Sequence, residues 1–150
     1  MRLLLLVSVA LLLACCTKAD PPAMAGERQL RERAKEAEAN LSLMREAALK
    51  YYARHKAAPE MLDDLSGFGG GPADIKPGEY YSELSYTFFR LKFDDKGQLA
   101  DGKFRATPMQ SADAPVVMLD ARTAEFEYTP KDAPEPAGNA PAGPKGVELK

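Results

Sequence analysis

The feature that most constrains this fold is segment 27–56, where apolar and aromatic side chains recur at alternating spacings of four and three. This spacing places them on one stripe of an α-helix. Neither Gly nor Pro interrupts the segment, and good helix formers dominate it. The stripe consists of Leu30, Ala34, Ala37, Leu41, Met44, Ala48, Tyr51 and His55. Such a helix is about 45 Å long, so the rest of a 150-residue chain must be organised around it.

The two halves of this helix differ in composition. Segment 27–40 is densely charged and has Leu30 as its only large apolar side chain, whereas segment 41–52 is rich in Leu, Met, Ala and Tyr. We therefore expect the second half to pack on a core and the first half to project as a stalk. A core-facing helix is favoured over a coiled coil, because the small side chain of alanine fills knobs-into-holes packing poorly.

Beyond the helix, the sequence predicts a short second helix and then an antiparallel sheet. Pro59 suits the first turn of a helix that ends at Leu65, and the glycine-rich segment 67–72 is typical of a linker rather than a phosphate loop. Gly97 can supply the positive φ of a tight turn between the first two strands. The predicted strands are 83–94, 103–107, 116–120 and 123–128. A long helix followed by a meander of three or four strands indicates an α+β fold.

The last predicted strand has a clear period of two. Ala124, Phe126 and Tyr128 alternate with polar side chains, which predicts one buried face. The following segment, 130–150, is rich in Pro, Ala and Gly, and we predict a disordered tail there. The folded unit is therefore expected at 27–129, which is long enough for one hydrophobic core.

The N-terminus has the pattern of an export signal. Arg2 precedes an uncharged run at 3–13, which as a helix would cover only about half of a bilayer core. The residues Leu12-Leu13-Ala14-Cys15 resemble the lipobox of bacterial lipoproteins. The resemblance implies a signal peptide at 1–14, an acylated Cys15 (diacylglycerol with fatty acids such as palmitate) as mature N-terminus, and a tether at 15–26. Acylation of Cys16 and an ordinary signal peptide are the alternatives.

The lipobox also implies a location. Two or three acyl chains would hold the mature protein on a membrane, at the periplasmic side of the cell envelope. In the enterobacterial sorting pattern, an Asp after the acylated cysteine retains lipoproteins in the inner membrane. Cys16 follows Cys15 here, and this favours the outer membrane.

Segment 43–65 resembles the helix end and first turn of type IV pilins and type II secretion pseudopilins, with Tyr51-Tyr52, Pro59 and a Leu62-x-x-Leu65 turn. The resemblance implies a pilin-like head, in which a three- or four-stranded antiparallel sheet packs on the helix. The chain departs from that family at its N-terminus, where a lipobox replaces the pilin cleavage site and long apolar helix. We therefore expect a pilin-like head on a lipid anchor rather than a filament subunit.

Composition argues against several kinds of chemistry. A net charge of −2 does not favour nucleic-acid binding, and one His with two adjacent Cys does not form a zinc site. The carboxylate pairs 63–64 and 94–95 fall in predicted turns, where Asp is common without catalysis. We expect His55 to cap the end of the helix or to be a partly buried side chain, rather than to bind a metal. The prediction is therefore no enzyme, no metal and no cofactor.

The aromatic residues around the first strand are the candidate contact surface. Most of the aromatic cluster is expected in the core, but it exceeds what one strand face can bury; its members are Tyr80, Tyr81, Tyr86, Phe88 and Phe89. We therefore predict an exposed binding patch at Tyr80, Tyr81 or Tyr86. The sequence thus favours a non-catalytic envelope lipoprotein that binds a protein partner, such as a component of a pilus or type II secretion-like apparatus. A spacer lipoprotein is the alternative, and a small periplasmic hydrolase or sugar-binding protein is a third hypothesis.

Overall fold

The computed structural model describes residues 22–132. The predictions for the signal peptide, Cys15, Cys16 and the C-terminal tail from residue 133 lie outside the described residues. The first described element is α1 (Pro22–His55), which begins before the predicted start at residue 27 and so includes part of the predicted tether. Pro22 is compatible with a first helical turn, and Arg54 and His55 complement the helix dipole in the last turn. In this part of the chain, no helix is long and apolar enough to cross a membrane.

The sheet has four antiparallel strands in the order β1-β2-β3-β4, so each strand pairs with the next along the chain. Their bounds are β1 (Tyr86–Phe93), β2 (Leu99–Ala106), β3 (Val116–Asp120) and β4 (Phe126–Thr129). The predicted α+β fold, with a long helix packed on an antiparallel sheet in a pilin-like arrangement, is confirmed. The short second helix is a single 3₁₀ turn, Leu62–Leu65.

One face of the sheet packs against α1. Ala34, Ala37 and Ala48 are fully buried at this contact, where their small side chains allow the helix backbone to approach the sheet. Phe104 of β2 and Leu119 of β3 are buried in the same core cluster. Burial therefore extends into the first half of α1, and the prediction that segment 27–40 projects as a stalk is wrong from Ala34 onward.

A bulge in β1 explains how its many large apolar side chains are accommodated. The ring of Phe88 contacts core residue Phe104, and the ring of Phe93 stacks on Tyr52 of α1 at 4.1 Å between centroids. In a regular strand these two phenylalanines, five positions apart, would point to opposite faces. Arg90 has a φ of 52°, and the pairing register shifts between Phe89 and Lys92. This irregularity turns both phenylalanine rings toward the helix side.

Two further segments differ from the sequence prediction. Ala124 has a φ of 59° and belongs to the turn before β4, so it does not share a strand face with Phe126. The glycine-rich segment is packed rather than a flexible linker: Gly70 is buried, and a Cβ at this position would lie 2.6 Å from that of Ala47. The predicted turn at Gly97 is present, with a φ of 77°.

Candidate functional site

The predicted aromatic patch is not a surface patch. Tyr81 is 0% exposed and its hydroxyl donates to the carbonyl oxygen of Pro115 at 2.5 Å, while Tyr86 is 5% exposed. Burial raises the pKa of both hydroxyl groups. The prediction of an exposed patch is therefore wrong for Tyr81 and Tyr86, because both rings fill the core between α1 and the sheet. Tyr80 is half-buried, and the guanidinium of Arg33 lies 5.8 Å from its ring centroid.

The segment that carries these tyrosines is held by a carboxylate of α1. Glu36 accepts hydrogen bonds from the backbone N–H groups of Glu79, Tyr80 and Tyr81, at 3.0, 2.7 and 2.9 Å. Successive N–H groups that converge in this way form an anion-binding nest. Here the anion is a side chain of the protein itself. Any side chain at Gly78 would collide with this carboxylate, so the glycine allows the close approach.

One helical turn further along α1, a buried amide makes a second attachment. Asn40 is 3% exposed and its Nδ2 donates to the carbonyl oxygen of Lys76 at 2.9 Å and to the hydroxyl of Tyr86 at 2.8 Å. Its Oδ1 accepts the N–H of Lys76 at 3.3 Å. Sequence analysis did not identify Glu36 or Asn40. The one available signal was an Asn within a helix beside the apolar stripe, where Asn is intrinsically unfavourable.

The opposite side of the same segment is held by the chain that follows β2. Thr107 N–H donates to the carbonyl oxygen of Ser85 at 2.8 Å, and Met109 N–H donates to that of Tyr80 at 2.9 Å. Within the segment, Ser85 N–H donates to the carbonyl oxygen of Ser82 at 3.0 Å and closes a 3₁₀ turn, Glu83–Ser85. Ser82 N–H caps this turn by donating to the side-chain oxygen of Ser85 at 2.9 Å. We call residues 78–85 the Leu84 turn. Its backbone is thus attached both to α1 and to the loop after β2.

Leu84, the middle residue of this 3₁₀ turn, is 90% exposed. Among the described residues, Leu43 at 38% and Met61 at 56% are the other large apolar side chains that are exposed. Exposed single leucines are common on protein surfaces, but this one is held at a defined position by the hydrogen bonds around it. Glu79 and Glu83 of the turn are also exposed. Glu83 precedes Leu84 directly in the chain, whereas the charge of Glu79 interacts with that of Arg33.

The Leu84 turn lies at the same end of the head as the first half of α1. Antiparallel pairing places the start of β1 and the end of β2 at the same end of the sheet. At this end, the first half of α1 contacts the rest of the fold: Arg33 pairs with Asp113, and the hydroxyl of Tyr128 donates to Glu38 at 2.8 Å. The last turn of α1 lies at the other end, where Tyr52 stacks on Phe93.

His55 lies at that other end, in an aromatic cluster. Its ring stacks on Tyr51 with 4.4 Å between centroids and meets the edge of Phe68 at 5.9 Å. The nearby Asp64 accepts the N–H groups of Glu60 and Met61, at 2.8 and 3.0 Å, and these bonds lower its pKa. His55 is therefore an exposed ring at the helix end, and Asp64 holds a turn.

The second pair of neighbouring carboxylates in the sequence, 94–95, also lies in a turn. Asp94 Oδ1 accepts the N–H groups of Lys96 and Gln98, at 2.9 and 2.8 Å. This is the arrangement of an Asx-type turn, and it holds the connection between β1 and β2. Within residues 22–132, no group of three or more His, Cys, Asp or Glu side chains is arranged to hold a metal ion.

A shallow cavity of about 510 Å³ lies between the start of α1 and the chain around β4. Its walls include Leu30, Asp113 and Lys131. The ammonium group of Lys131 donates to the carbonyl oxygens of Met109 and Ala112, at 3.1 and 3.4 Å. The strongest donor on the cavity wall is thus engaged with the loop after β2, so the cavity offers little to orient a substrate.

In comparisons with protein-family models, curated proteins and solved structures, nothing matches this chain.

Proposed function

We propose that this chain is a non-catalytic, lipid-anchored protein of the cell envelope that binds a protein partner through its pilin-like head. The lipobox-like residues ending at Cys15 support the anchor. The observation that carries the binding role is the Leu84 turn, because it holds an exposed leucine at a defined position. An aliphatic side chain on a held backbone can serve as an anchor that enters a partner's pocket.

Because the head has a pilin-like arrangement, the partner that we propose first is a component of a pilus or type II secretion-like apparatus in the periplasm. A spacer role is less well supported than a binding role. A spacer would use a long free rod, whereas α1 is buried against the sheet from Ala34 onward.

The anchor is tested by intact mass spectrometry of the protein extracted from membranes. We expect a mature chain that begins at Cys15 and carries acyl chains, and a Cys15→Ser variant that leaves the membrane fraction. An unacylated mature chain recovered from the soluble periplasm would contradict the anchor.

The binding role is tested by chemical crosslinking in the same membranes. We compare the wild-type protein with Leu84→Ser and with the matched control Met61→Ser, which removes an exposed apolar side chain at the other end of the head. We expect a discrete crosslinked partner that is lost in Leu84→Ser and retained in Met61→Ser. If both variants keep the partner, the Leu84 turn is not the site; if the wild-type protein gives no partner, the binding role itself is wrong.

A further inference from the structure

We infer that the free edge of β4 pairs with an extended, basic segment of a partner protein, which adds a strand to the sheet. This inference goes beyond the proposed function, because it uses neither the Leu84 turn nor a lipid anchor. It depends on the backbone of β4, on the groove along this strand and on the charges beside it.

The backbone of β4 is open on one side. Among residues 22–132, β4 pairs with β3 alone and forms one edge of the sheet. Asp120 N–H donates to the carbonyl oxygen of Glu125 at 3.0 Å where the β3–β4 hairpin closes. Because the bonding pattern of antiparallel strands alternates, the backbone N–H and C=O groups of Phe126 and Tyr128 point away from β3. An extended chain can satisfy these groups by pairing with the edge.

The other edge of the sheet is less suited to pairing. The register of β1 shifts between Phe89 and Lys92, and Arg90 within this irregularity has a φ of 52°. Bulges and exposed cationic side chains, such as those of Arg90 and Lys92, are features that protect an edge strand from further pairing. In contrast, β4 keeps a regular register with β3 and contains neither Lys nor Arg. The edge that is ready to accept a strand is therefore that of β4.

A groove runs along this edge. The hydroxyl of Tyr128 donates to Glu38 of α1 at 2.8 Å, whereas Glu127 lies on the face of the sheet away from α1, which we call the outer face, and accepts from Lys103 at 3.2 Å. A shallow cavity of about 540 Å³ is lined by residues of both kinds: Asp120, Thr123, Glu125, Phe126, Glu127 and Tyr128. Since neighbouring side chains of a strand point to opposite faces, a cavity that touches both faces lies along the edge.

The charges beside the groove indicate a basic ligand. The side chains that line it include three carboxylates and neither Lys nor Arg. Glu125 and Glu127 are exposed, and opposite charges on neighbouring strands stabilise their pairing. On the helix side of the edge, the half-buried rings of Phe126 and Tyr128 favour apolar neighbours. The ligand is therefore an extended segment in which Lys or Arg residues alternate with apolar residues.

A second copy of this chain is a poorer occupant of the edge. If two β4 strands paired with each other, the carboxylates of Glu125 and Glu127 in one copy would approach those of the other, and like charges on paired strands are destabilising. The regular part of β1, residues 86–89, has Thr87 and Phe89 on its outer face and supplies no cation there. A basic segment of another protein complements β4 better than either edge strand of a second copy.

The experiment measures the binding of short synthetic peptides to the full chain as purified from cells. The probe is a peptide in which Lys alternates with Val, and the matched control has Glu in place of Lys. Two further versions of the probe carry N-methyl groups on all Val or on all Lys residues, so each version lacks the N–H groups of one peptide edge. In antiparallel pairing the Val residues lie opposite Phe126 and Tyr128, and their N–H groups face β4. Affinity is measured by calorimetry, and the site by amide hydrogen exchange.

We expect the Lys/Val peptide and its Lys-methylated version to bind equally well. The Val-methylated and Glu/Val peptides should bind at least tenfold more weakly. In the complex, the amides of Phe126 and Tyr128 should exchange more slowly, whereas that of Glu127, which already faces β3, should not change. The variant Glu125→Lys/Glu127→Lys should weaken binding by about fivefold or more. The control Glu46→Lys, which reverses an exposed charge on α1, should leave the affinity unchanged.

Several results would overturn the inference. Equal affinities of the two N-methylated peptides would exclude backbone pairing, and equal affinities of the Lys and Glu peptides would exclude a basic ligand. Binding with unchanged exchange at Phe126 and Tyr128 would place the peptide elsewhere on the protein.

Failure of the Lys/Val peptide to bind would also overturn the inference, and exchange in the free protein then identifies the occupant of the edge. Protection of Phe126 and Tyr128 that is lost on dilution would indicate a second copy. Protection that persists on dilution would indicate another segment of the same chain. The proposed function is tested separately, by crosslinking of the Leu84 and Met61 variants, and none of these outcomes decides it.

Discussion

Replacement of Glu36 by alanine should destabilise the head and release the Leu84 turn. The carboxylate of Glu36 accepts three backbone N–H groups, at 2.7 to 3.0 Å, from residues more than 40 positions further along the chain. In Glu36→Ala these N–H groups lose their shared acceptor. Two of the three bonds are partly buried, so water can replace the carboxylate only in part.

The expected loss follows from the environment of these bonds. A hydrogen bond to a charged group contributes about 1.5–3 kcal/mol when it is well buried. Because this site lies near the surface, we assign about 1 kcal/mol to each bond, or roughly 3 kcal/mol in total. With a urea dependence of about 1.5 kcal/mol per molar, the unfolding midpoint should fall by about 2 M. Glu36→Gln, which keeps a neutral acceptor, should lose less.

The assay combines urea unfolding with amide hydrogen exchange of the mature protein. The amides of Glu79, Tyr80 and Tyr81 should exchange faster in Glu36→Ala, while those of β3 change only with global stability. The control is Glu46→Ala, which removes an exposed carboxylate from the same helix. A midpoint for Glu36→Ala within about 0.3 M of this control, with unchanged exchange at residues 79–81, would refute the assignment of Glu36 as the group that holds the turn.

Expected outcomes follow for four further variants. Asn40→Ala should lower the free energy of unfolding by about 2–4 kcal/mol, because it leaves a buried hydroxyl and a backbone carbonyl without their donor; a urea midpoint like that of wild type would contradict this. Gly70→Ala should destabilise the fold by more than 1 kcal/mol, since its Cβ would overlap Ala47. Gly26→Ala, with nothing within 4 Å of the added carbon, should be neutral or slightly stabilising in thermal unfolding. Burial and the hydrogen bond to Glu38 raise the pKa of Tyr128 to about 12. The stability that this hydroxyl gives the folded state is therefore complete below about pH 10, the ordinary pKa of tyrosine in an unfolded chain. It is lost as the pH rises through about 12, the pKa in the folded state. Urea midpoints between pH 8 and 12 should fall less steeply in Tyr128→Phe, and an unchanged slope would contradict the assignment.

Local sequence patterns were sufficient for the architecture. The stripe from Leu30 to His55 has a single helical period, and its members from Ala34 to Ala48 are buried, as an apolar helix face predicts. β3 has the predicted bounds, Val116–Asp120, because a short run of β-branched and other apolar residues between turn signals suits a central strand. The turn at Gly97 is present because a positive φ there favours glycine. These features depend on neighbours in the chain.

The extent of the packed helix was not evident from the same patterns. The charged residues of segment 27–40 resemble a solvated surface, yet Ala34 and Ala37 are buried between them. The charges remain satisfied because Arg33, Glu36 and Glu38 reach partners in the loops and in β4. The helical pattern identifies which face of α1 is apolar, but not how far along that face the sheet extends.

The candidate site depended on tertiary structure. Tyr81, Leu84 and Tyr86 lie within six residues of one another, and nothing in their local sequence distinguishes the buried rings from the exposed leucine. The difference in burial between the tyrosine rings and the leucine comes from Glu36 and Asn40, whose hydrogen-bond partners lie 36 to 46 positions away along the chain. The bulge at Arg90 likewise reverses which side chains of β1 face the helix. Periodicity reports the spacing of residues along one element, whereas these outcomes depend on which elements meet and on which polar groups must then be satisfied.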